Sequence, residues 1–379
     1  MKKVRIGIIG AGFIANVHAG AYQLVQHHFG NEVVPELVCC CDIDEVKAKR
    51  LCEKHNMQWY TTDWHKIVES DDIDAVVIAT YNDSHVPIAI EAAKHGKHIH
   101  SEKPLGMNGE QTSEAVRVIK ETGVIAAVGF NCCKHPLQEY VKRLIASGEL
   151  GDVLYFRGCS DQDYYLDDPT HTQDFVWRMS KEHAGSGALG DLLAHTISLS
   201  QYLIGDTAAV SGMTQIVFPE RPDFYDPSKI YKVENDDICQ YTFRYANGAI
   251  GYMSSSRVAA GRKMGVDYEI QLTKGAIRFS LERMNEVQIY HHCENPEERG
   301  FKTVYVAPGH GDYSKFYGGA GIEIGYSDGK VCDAYHFLRC VAENKQPEIG
   351  FEFGDKVQKI IDAVLESAAN DSKWVEVKK

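Results

Sequence analysis

The sequence predicts an α/β fold, with a doubly wound parallel sheet in the amino-terminal part and a following α+β domain with a large open, mostly antiparallel sheet. Through the first third, short apolar segments alternate with helical stretches of about 10–15 residues. Farther along, apolar and polar residues alternate within segments that end in glycine-containing turns. At 379 residues the chain exceeds one ordinary core, so we expect two domains, 1–131 and 132–379.

The first domain is expected to consist of repeated strand–helix–strand units. A helical stretch follows each apolar segment, and this order produces parallel strands that are covered on both faces. The predicted strands are VRIGII (4–9), ELVCCCDID (36–44), DAVVIAT (74–80), HIHSEKP (98–104) and IAAVGFN (125–131).

The second domain is expected to contain a sheet with one packed and one open face, because apolar and polar residues alternate. ANG (246–248) and TKG (273–275) are predicted to be hairpin turns. Helices are expected at about 188–204 and at about 354–371, where apolar residues recur at three- and four-residue spacing. The last helix is a candidate to pack back towards the first domain.

Composition argues against several classes of protein. The net charge is −13 without a cluster of Lys and Arg, so no nucleic-acid partner is expected. No apolar run approaches the roughly 20 residues of a membrane span, and the polar amino terminus does not fit a signal peptide, so we expect a cytoplasmic protein without a membrane partner. The eleven cysteines lack paired C-x-x-C spacing, which is typical of reduced thiols, and no metal site is expected.

The segment GAGFIA (10–15) indicates a dinucleotide site. It matches G-x-G-x-x-A between the first strand and its helix, with Gly10, Gly12 and Ala15 in the three positions. Gly10 allows a tight turn, Gly12 lets the backbone approach a pyrophosphate, and Ala15 keeps helix and strand close. A glycine turn that only joins strand to helix is the alternative interpretation.

Asp42 strengthens the dinucleotide interpretation, because an acidic side chain at the end of the second strand can accept hydrogen bonds from the adenosine ribose. A loop insertion at 26–35 explains its long distance from the glycines. Asp42 would repel the 2′-phosphate of NADP, and neither Ile43 nor Asp44 can neutralise one. We therefore expect NAD as the cofactor.

Glu102, Lys103 and Pro104 follow the fourth predicted strand. Ligands of doubly wound proteins bind at the carboxyl ends of the strands. This strand should therefore deliver Lys103 to the site, while Pro104 fixes the chain as it leaves. The alternative is that Lys103 is an ordinary solvated lysine.

Asp191 and His195 lie in GSGALGDLLAHTISLSQYL (185–203) at i, i+4 spacing, so both side chains project from one face of a helix. An imidazole titrates near neutral pH, and a neighbouring carboxylate can orient it or bind substrate. The pair therefore suits removal of a hydroxyl proton. A helix cap at Asp191 and a structural core histidine at His195 are the alternatives.

GAGFIA, SEKPLG (101–106) and GSGALGDLLAH (185–195) occur in the order and at about the spacing of the glucose–fructose oxidoreductase, inositol dehydrogenase and MocA (Gfo/Idh/MocA) family. The sequence resembles this family over essentially its whole length. The resemblance implies an NAD(P)-dependent sugar or polyol dehydrogenase with a Rossmann domain and an α+β domain. It also implies a homo-oligomer, a dimer or tetramer, because the open sheet commonly forms the oligomer interface in this family.

Carried over by position, the resemblance implies that Lys103 lies close to the nicotinamide and that His195 is the catalytic histidine beside Asp191, which contacts sugar hydroxyls. FVWRMSKEHAGSGALGD (175–191) resembles the branch of levoglucosan and glucoside dehydrogenases. This likeness makes Trp177 and Arg178 candidates for residues that line the substrate-binding pocket. Further residues implied to border the cofactor are Phe13, Ile14, Thr80, Asn82, His85, Glu102 and Asn131.

One departure separates this chain from many relatives, which carry an arginine shortly after GFN. Here the sequence reads NCCKHP (131–136), so a substrate contact of that arginine cannot be transferred to Cys133. Either Lys134 replaces its charge or the pocket accepts a neutral ligand.

The leading hypothesis is NAD-dependent oxidation of a secondary ring hydroxyl, at C3, of a glucose-type sugar, glycoside or anhydrosugar. His195 would take the hydroxyl proton, and Lys103 would stabilise the developing alkoxide. The alternatives are an inositol dehydrogenase, an NAD-dependent glycosidase with a transient 3-keto intermediate, and a non-enzymatic regulator that senses sugar or NAD.

Overall fold

Strands and helices alternate through the first 134 residues, which fold around a parallel sheet in the computed structural model of the protein. The structure describes residues 2–167, 177–223 and 226–378. The chain forms two compact units. The first consists of Met1–Lys134 and Ile324–Asp355, and the second of His135–Glu323 and Lys356–Lys379.

The sheet of the first unit is built from β1 (Lys2–Ile9), β2 (Val33–Cys41), β3 (Trp59–Thr61), β4 (Ala75–Ile78), β5 (His98–Ser101) and β6 (Ala126–Val128). Within the described residues these six strands are all parallel, in the order β3–β2–β1–β4–β5–β6. The sequence predicts five of them and misses β3, which has three half-buried residues at the sheet edge. The order reverses between β1 and β4, where ligands of such sheets bind.

Five helices connect these strands: α1 (Phe13–Phe29), α2 (Glu45–Lys54), α3 (His65–Val68), α4 (Asn82–Lys94) and α5 (Gly109–Thr122). Local signals fix several of their ends. The side chains of Asp44 and Asn108 accept hydrogen bonds from backbone N–H groups in the first turns of α2 and α5. Gly123 follows the last residue of α5, and its φ of +72° suits glycine.

The second unit contains β7 (Val153–Asp161), β8 (Thr207–Gln215), β9 (Glu220–Pro222), β10 (Ile230–Lys232), β11 (Ile238–Tyr245), β12 (Ile250–Ser256), β13 (Gly265–Leu272), β14 (Gly275–Ser280), β15 (Glu286–His291), β16 (Lys302–Tyr305) and β17 (Val375–Glu376). In the described part of the chain, nine of them form one sheet in the order β16–β15–β14–β13–β7–β12–β11–β8–β17, and β9 pairs with β10. Only the β7–β12 pair of this sheet is parallel in the described residues. The predicted α/β class with a mostly antiparallel second sheet is confirmed.

One face of the large sheet is packed and the other is open. The helices of this unit include α6 (Pro136–Ala146), α7 (Lys181–Ala184) and α8 (Ala194–Leu203). A Cβ at Gly158 of β7 would lie 2.6 Å from the Thr196 side chain, so α8 lies directly on the sheet. Along β11, residues on this face are buried while their neighbours are largely exposed, which is the alternation that the sequence predicts.

The carboxyl-terminal helices are α9 (Tyr326–Glu343) and α10 (Phe351–Ala369). Helix α9 belongs to the first unit, where the Tyr335 ring stacks on Phe29 of α1 with a centroid distance of 3.9 Å. The predicted division at residue 131 differs from the structure in this segment, because residues 324–355 pack with the first unit. In the described ranges, no helix has both the length and the apolar character needed to cross a membrane.

Candidate active site

The glycine loop between β1 and α1 leaves the amino terminus of α1 accessible. Gly10 has a φ of +103°, and a Cβ there would lie 2.3 Å from the carbonyl oxygen of Ala79. A Cβ at Gly12, which precedes α1, would meet no atom within 4 Å. Ala15 is fully buried. Two further residues are expected to contact the cofactor here, Phe13 and Ile14. Phe13 is exposed and Ile14 is half-buried.

Asp42 follows β2 directly, and its carboxylate is bound to the glycine loop. Its Oδ2 accepts a hydrogen bond of 2.7 Å from the backbone N–H of Ala11, and its Oδ1 accepts one of 2.9 Å from Asp44 N–H. A carboxylate has about four acceptor positions, so two remain for the hydroxyls of a ribose. With the accessible α1 amino terminus, this arrangement fits a dinucleotide.

Three of the expected cofactor contacts follow β4, one in the turn and two on α4. Thr80 is half-buried, and Asn82, the first residue of α4, is buried. His85 is fully buried, with Nδ1 2.8 Å from the carbonyl oxygen of Pro104 and Nε2 3.2 Å from that of Thr80. Because both ring nitrogens contact backbone carbonyls, His85 joins the turns that follow β4 and β5.

Glu102 and Lys103 follow β5 and differ in exposure. Lys103 is half-buried, and its peptide bond to Pro104 is cis. Glu102 is buried, and a Cβ at Gly129 would lie only 3.0 Å from its Oε1. Asn131, another expected cofactor contact, is buried and begins the 3₁₀ turn Asn131–Lys134. Glu102 is therefore enclosed by protein, whereas Lys103 is partly accessible.

Glu102 belongs to a buried charge cluster that the sequence does not predict. Its Oε1 lies 2.5 Å from the Lys330 ammonium and 2.7 Å from Nε2 of His18. The same ammonium lies 3.9 Å from Oδ2 of Asp333. Lys330 and Asp333 come from α9, more than 200 residues after Glu102.

Hydrogen bonds extend this cluster to two aromatic residues. His100 Nε2 lies 3.2 Å from Asp333 Oδ2, and the Tyr22 hydroxyl lies 2.8 Å from Nδ1 of the same ring. One neutral tautomer satisfies both contacts, because the tyrosine donates to Nδ1 while Nε2–H donates to the carboxylate. The buried charge cluster consists of His18, Tyr22, His100, Glu102, Lys330 and Asp333.

The ion pairs determine which groups of the buried charge cluster carry charge. Burial alone would raise the pKa of Glu102, but the Lys330 ammonium and the His18 hydrogen bond hold it well below its usual range. Burial also acts against the charge of Asp333, yet His100 and Lys330 lower its pKa to about 2. Burial, assisted by Lys330, lowers the pKa of His18 to about 4. At neutral pH the cluster therefore contains two carboxylates, one ammonium and a neutral His18.

In the second unit, Asp191 lies on a π-helix (Leu189–Leu193) and His195 on α8, which follows it directly. Both side chains are half-buried, while residues 192–194 between them are buried. They therefore share the accessible side of this segment, as their spacing predicts. The sequence predicts one regular helix at about 188–204; the π-helical turn widens it at Asp191 and is frequent at functional sites.

Tyr164 and Arg178 both bind Asp191. The Tyr164 hydroxyl donates to Oδ2 of Asp191 at 3.1 Å, and Nε of Arg178 lies 3.3 Å from the same oxygen. The Arg178 guanidinium lies over the Trp177 ring, 4.4 Å from its centroid. Burial, together with the Asp191 charge, raises the pKa of Tyr164 well above its usual value, so its phenol remains a donor.

Sequence reasoning missed several residues of these sites. No sequence pattern marks Tyr164, and Lys330 and Asp333 are distant in sequence from Glu102, with which they form the buried charge cluster.

Cys133, at the position of the missing arginine, is 1% exposed. All eleven cysteines are thiols. In the described portion of the chain, no group of three or more His, Cys, Asp or Glu side chains is arranged to hold a metal.

A parallel sheet in this strand order, with a glycine loop before α1 and an acidic residue after β2, defines the chain as an NAD-binding protein of the Rossmann type. Residues 4–130 match the oxidoreductase family with an NAD-binding Rossmann fold, and residues 139–278 match the GFO/IDH/MocA C-terminal domain. The chain belongs to the GFO/IDH/MocA family of NAD-dependent oxidoreductases.

Two relatives of known activity are dehydrogenases. The chain is 33% identical to levoglucosan dehydrogenase of Pseudarthrobacter phenanthrenivorans, over 100% of this chain and 99% of that protein. It is 27% identical to the NAD⁺-dependent scyllo-inositol 2-dehydrogenase of Bacillus subtilis, over 91% of this chain and 88% of that protein.

Solved structures show the same fold. Levoglucosan dehydrogenase in complex with NADH and levoglucosan superposes with a TM-score of 0.94 at 34% identity and covers 100% of both chains. An NAD-binding oxidoreductase from Klebsiella pneumoniae gives a TM-score of 0.93 at 35% identity over 100% of this chain and 99% of that one. The family and its relatives therefore define this protein as an NAD-dependent dehydrogenase of the sugar and polyol class.

Proposed function

We propose that the protein oxidises a secondary ring hydroxyl, at C3, of a glucose-type sugar, glycoside or anhydrosugar with NAD⁺. The observation that carries the proposal is the Asp191 site, where Tyr164 and Arg178 both contact the Asp191 carboxylate. The Arg178 guanidinium also lies over the Trp177 ring, and His195 follows four residues after Asp191, on α8. The Arg178 charge is already paired with Asp191, so the site offers hydroxyl-binding groups rather than an unpaired cation for a phosphate or carboxylate. The complex of levoglucosan dehydrogenase with its anhydrosugar supports the same class of substrate.

The second unit supplies the proton acceptor. We assign to His195 the removal of the hydroxyl proton, since an imidazole can act as a base near neutral pH. Asp191 accepts hydrogen bonds and, in this assignment, binds a hydroxyl next to the reacting one. Tyr164 and Arg178 fix the orientation of the Asp191 carboxylate, because both contact the same oxygen.

The first unit supplies the cofactor site. When bound, NAD⁺ provides the oxidising chemistry by accepting hydride from the substrate carbon. The α1 amino terminus and Asp42 would hold its pyrophosphate and adenosine ribose. Lys103 is assigned to the nicotinamide end and, as a cation, would favour the substrate oxygen in its deprotonated form. Glu102 and His85 hold the backbone around it.

The test is formation of NADH, followed by absorbance, across glucose, methyl glucosides, levoglucosan and inositols, with NMR analysis of the product. A 3-keto sugar is expected. A lactone would show oxidation at C1 and contradict the C3 assignment. Turnover of inositols without turnover of glycosides would favour a cyclitol dehydrogenase, to which the scyllo-inositol relative points.

Two further results would contradict the proposal in favour of other functions. Cleavage of a glycosidic bond without accumulation of NADH would indicate a glycosidase with a transient 3-keto intermediate. Binding of a sugar or NAD without turnover over the whole panel would indicate a sensing protein.

We also propose that the chain forms a homo-oligomer through the open face of the large sheet. Ile250 and Tyr252 of β12 and Met213 of β8 are exposed on this face. Exposed apolar side chains on one sheet face are typical of an interface between protein chains. A second copy of this chain is the proposed occupant.

A further inference from the structure

Asn235 and Asp236, which precede β11, hold the two chain segments that carry the Asp191 site. We name these two residues the Asn235–Asp236 clamp. Both are buried, with exposures of 3% and 6%. The two neighbouring side chains bind two different segments of the chain.

Asn235 binds the segment of Arg178. Its Nδ2 donates hydrogen bonds to the carbonyl oxygens of Arg178, at 2.9 Å, and Ser180, at 3.0 Å. An amide nitrogen has two donors, so both are used. Arg257 donates to the Asn235 carbonyl oxygen at 3.3 Å, which fixes the backbone of the clamp.

Asp236 binds the segment that leads to Asp191. Its Oδ1 accepts from Gly187 N–H at 2.7 Å, and its Oδ2 accepts from Leu189 N–H at 2.8 Å. Its backbone carbonyl accepts from Ala188 N–H at 2.8 Å. A Cβ at Gly187 would lie 1.9 Å from that carbonyl oxygen, so only glycine allows this close approach.

We propose that the Asn235–Asp236 clamp is a positioning element that sets the geometry of the Arg178–Asp191 pair. Neither clamp side chain takes part in the reaction. Asn235 fixes the backbone from which Arg178 extends, and Asp236 fixes the start of the π-helix on which Asp191 lies. The inference rests on the proposed function insofar as this pair binds the sugar.

The contact between Arg178 and Asp191 is sensitive to the separation of the two segments. The distance between Nε of Arg178 and Oδ2 of Asp191 is 3.3 Å, so the ion pair is separated if either backbone moves away by about 1 Å. Misplacement of a binding group by about 1 Å can cost on the order of a hundredfold in rate. Loss of the clamp should therefore affect sugar recognition more than folding or NAD binding.

The test uses two substitutions that preserve side-chain size. Asn235→Asp replaces the double donor with an oxygen that faces two carbonyl oxygens, and Asp236→Asn places an NH₂ group against a backbone N–H. Both variants should raise the KM for the sugar by at least about tenfold and leave the KM for NAD within about twofold. Gln201→Glu is the matched control, because Gln201 is also buried and its Nε2 donates to Thr207 Oγ1 at 2.9 Å. This control should leave both KM values unchanged.

A double-mutant cycle separates positioning from general destabilisation. If the clamp acts through Arg178, Asn235→Asp should add little to the effect of Arg178→Gln on the KM for the sugar. Arg178→Gln already removes the guanidinium that Asn235→Asp would misplace. Additive effects would contradict the proposal. If Asn235→Asp does not fold, Asn235→Ser, which retains one donor, takes its place in the cycle.

A spectroscopic readout makes the inference independent of enzyme activity. With 5-fluorotryptophan incorporated, the ¹⁹F signal of Trp177, assigned through Trp177→Phe, should shift in Asn235→Asp because the Arg178 guanidinium lies over this ring. The signals of Trp59, Trp64 and Trp374 serve as internal controls. An unchanged Trp177 signal in the folded variant would overturn the inference. Absence of sugar oxidation by the wild-type chain would refute the proposed function and leave this readout intact.

Discussion

The Lys330 ammonium lies 2.5 Å from Oε1 of Glu102, and both side chains are almost completely buried. The two residues are separated by 228 positions in the sequence. Removing one partner of a buried ion pair destabilises the fold, because a single buried charge without its partner costs several kcal/mol. Lys330 therefore connects α9 to the end of β5, where Lys103 lies.

Replacement of Lys330 by Met should lower the free energy of unfolding by about 3–5 kcal/mol, because Glu102 loses its buried cation. Lys120→Met is the matched control: Lys120 pairs with Glu352 at 2.6 Å, but both side chains are about two-thirds exposed. This change should cost less than about 1 kcal/mol. Urea unfolding measures both variants, and equal losses would contradict the special role of the buried pair.

The free energy of unfolding should decrease in two steps as the pH is lowered. The folded protein keeps His18 neutral down to about pH 4, whereas the unfolded chain protonates it near pH 6.5. The unfolded state thus binds more protons in this window, and stability is lost as pH falls through it, by on the order of 3 kcal/mol. Asp333, with a pKa near 2 instead of 3.8, causes a second loss from about pH 4 to pH 2.

Urea midpoints measured as a function of pH test this expectation. His18→Gln should remove part of the loss between about pH 6.5 and pH 4, since the unfolded chain no longer gains that proton. The loss below about pH 4 should persist in this variant. A profile identical to that of the wild type would show that His18 does not control acid stability.

Asp42→Ala should weaken NAD binding by about tenfold or more, because hydrogen bonds to a charged acceptor contribute about 1.5–3 kcal/mol. The preference for NAD over NADP should narrow, and adding Ile43→Arg should narrow it further. Asp44→Ala is the control, since Asp44 caps α2 and its loss should leave the preference unchanged. Dissociation constants from fluorescence titration provide the measurement, and equal or tighter binding of NADP by the wild type would contradict the assignment of Asp42.

His195→Asn should reduce kcat for sugar oxidation by about 10²–10⁴ and leave NAD binding intact, because general-base assistance is typically of this size. Lys103→Met should be at least as damaging, since it removes the cation assigned to the nicotinamide end. His292→Asn, an exposed histidine of the same unit as His195, is the control. Wild-type turnover and an unaltered pH profile in His195→Asn would assign the proton acceptor elsewhere.

Ile250→Lys should dissociate the proposed homo-oligomer, because it places a charge on the open face of the large sheet. Ile230→Lys is the matched control: Ile230 is equally exposed, at 56%, but lies on β10 outside that sheet. Sedimentation velocity measures the assembly state. A wild-type monomer, or an Ile250→Lys variant that stays assembled, would contradict the proposed interface.

The glycine loop, Asp42 and the Glu102–Lys103–Pro104 segment could be located from the sequence because each depends on a local rule. A glycine with positive φ, an acid after a buried strand and a proline at a strand end all leave short patterns. The i, i+4 spacing of Asp191 and His195 likewise predicts a shared helix side, even though a π-helical turn carries Asp191. Strand β3 could not be predicted from the sequence, because three half-buried residues are too few to show an alternation of apolar and polar side chains.

The sequence by itself determined the α/β class, the cofactor segment and the order of the candidate site residues, because apolar periodicity and turn chemistry act between neighbours along the chain. The tertiary structure alone decided that residues 324–355 join the first unit, that Lys330 neutralises Glu102, and that Tyr164 and Arg178 bind one oxygen of Asp191. These contacts join residues that are distant along the chain. Their energies come from burial and charge pairing in the packed interior, which no local pattern of residues encodes.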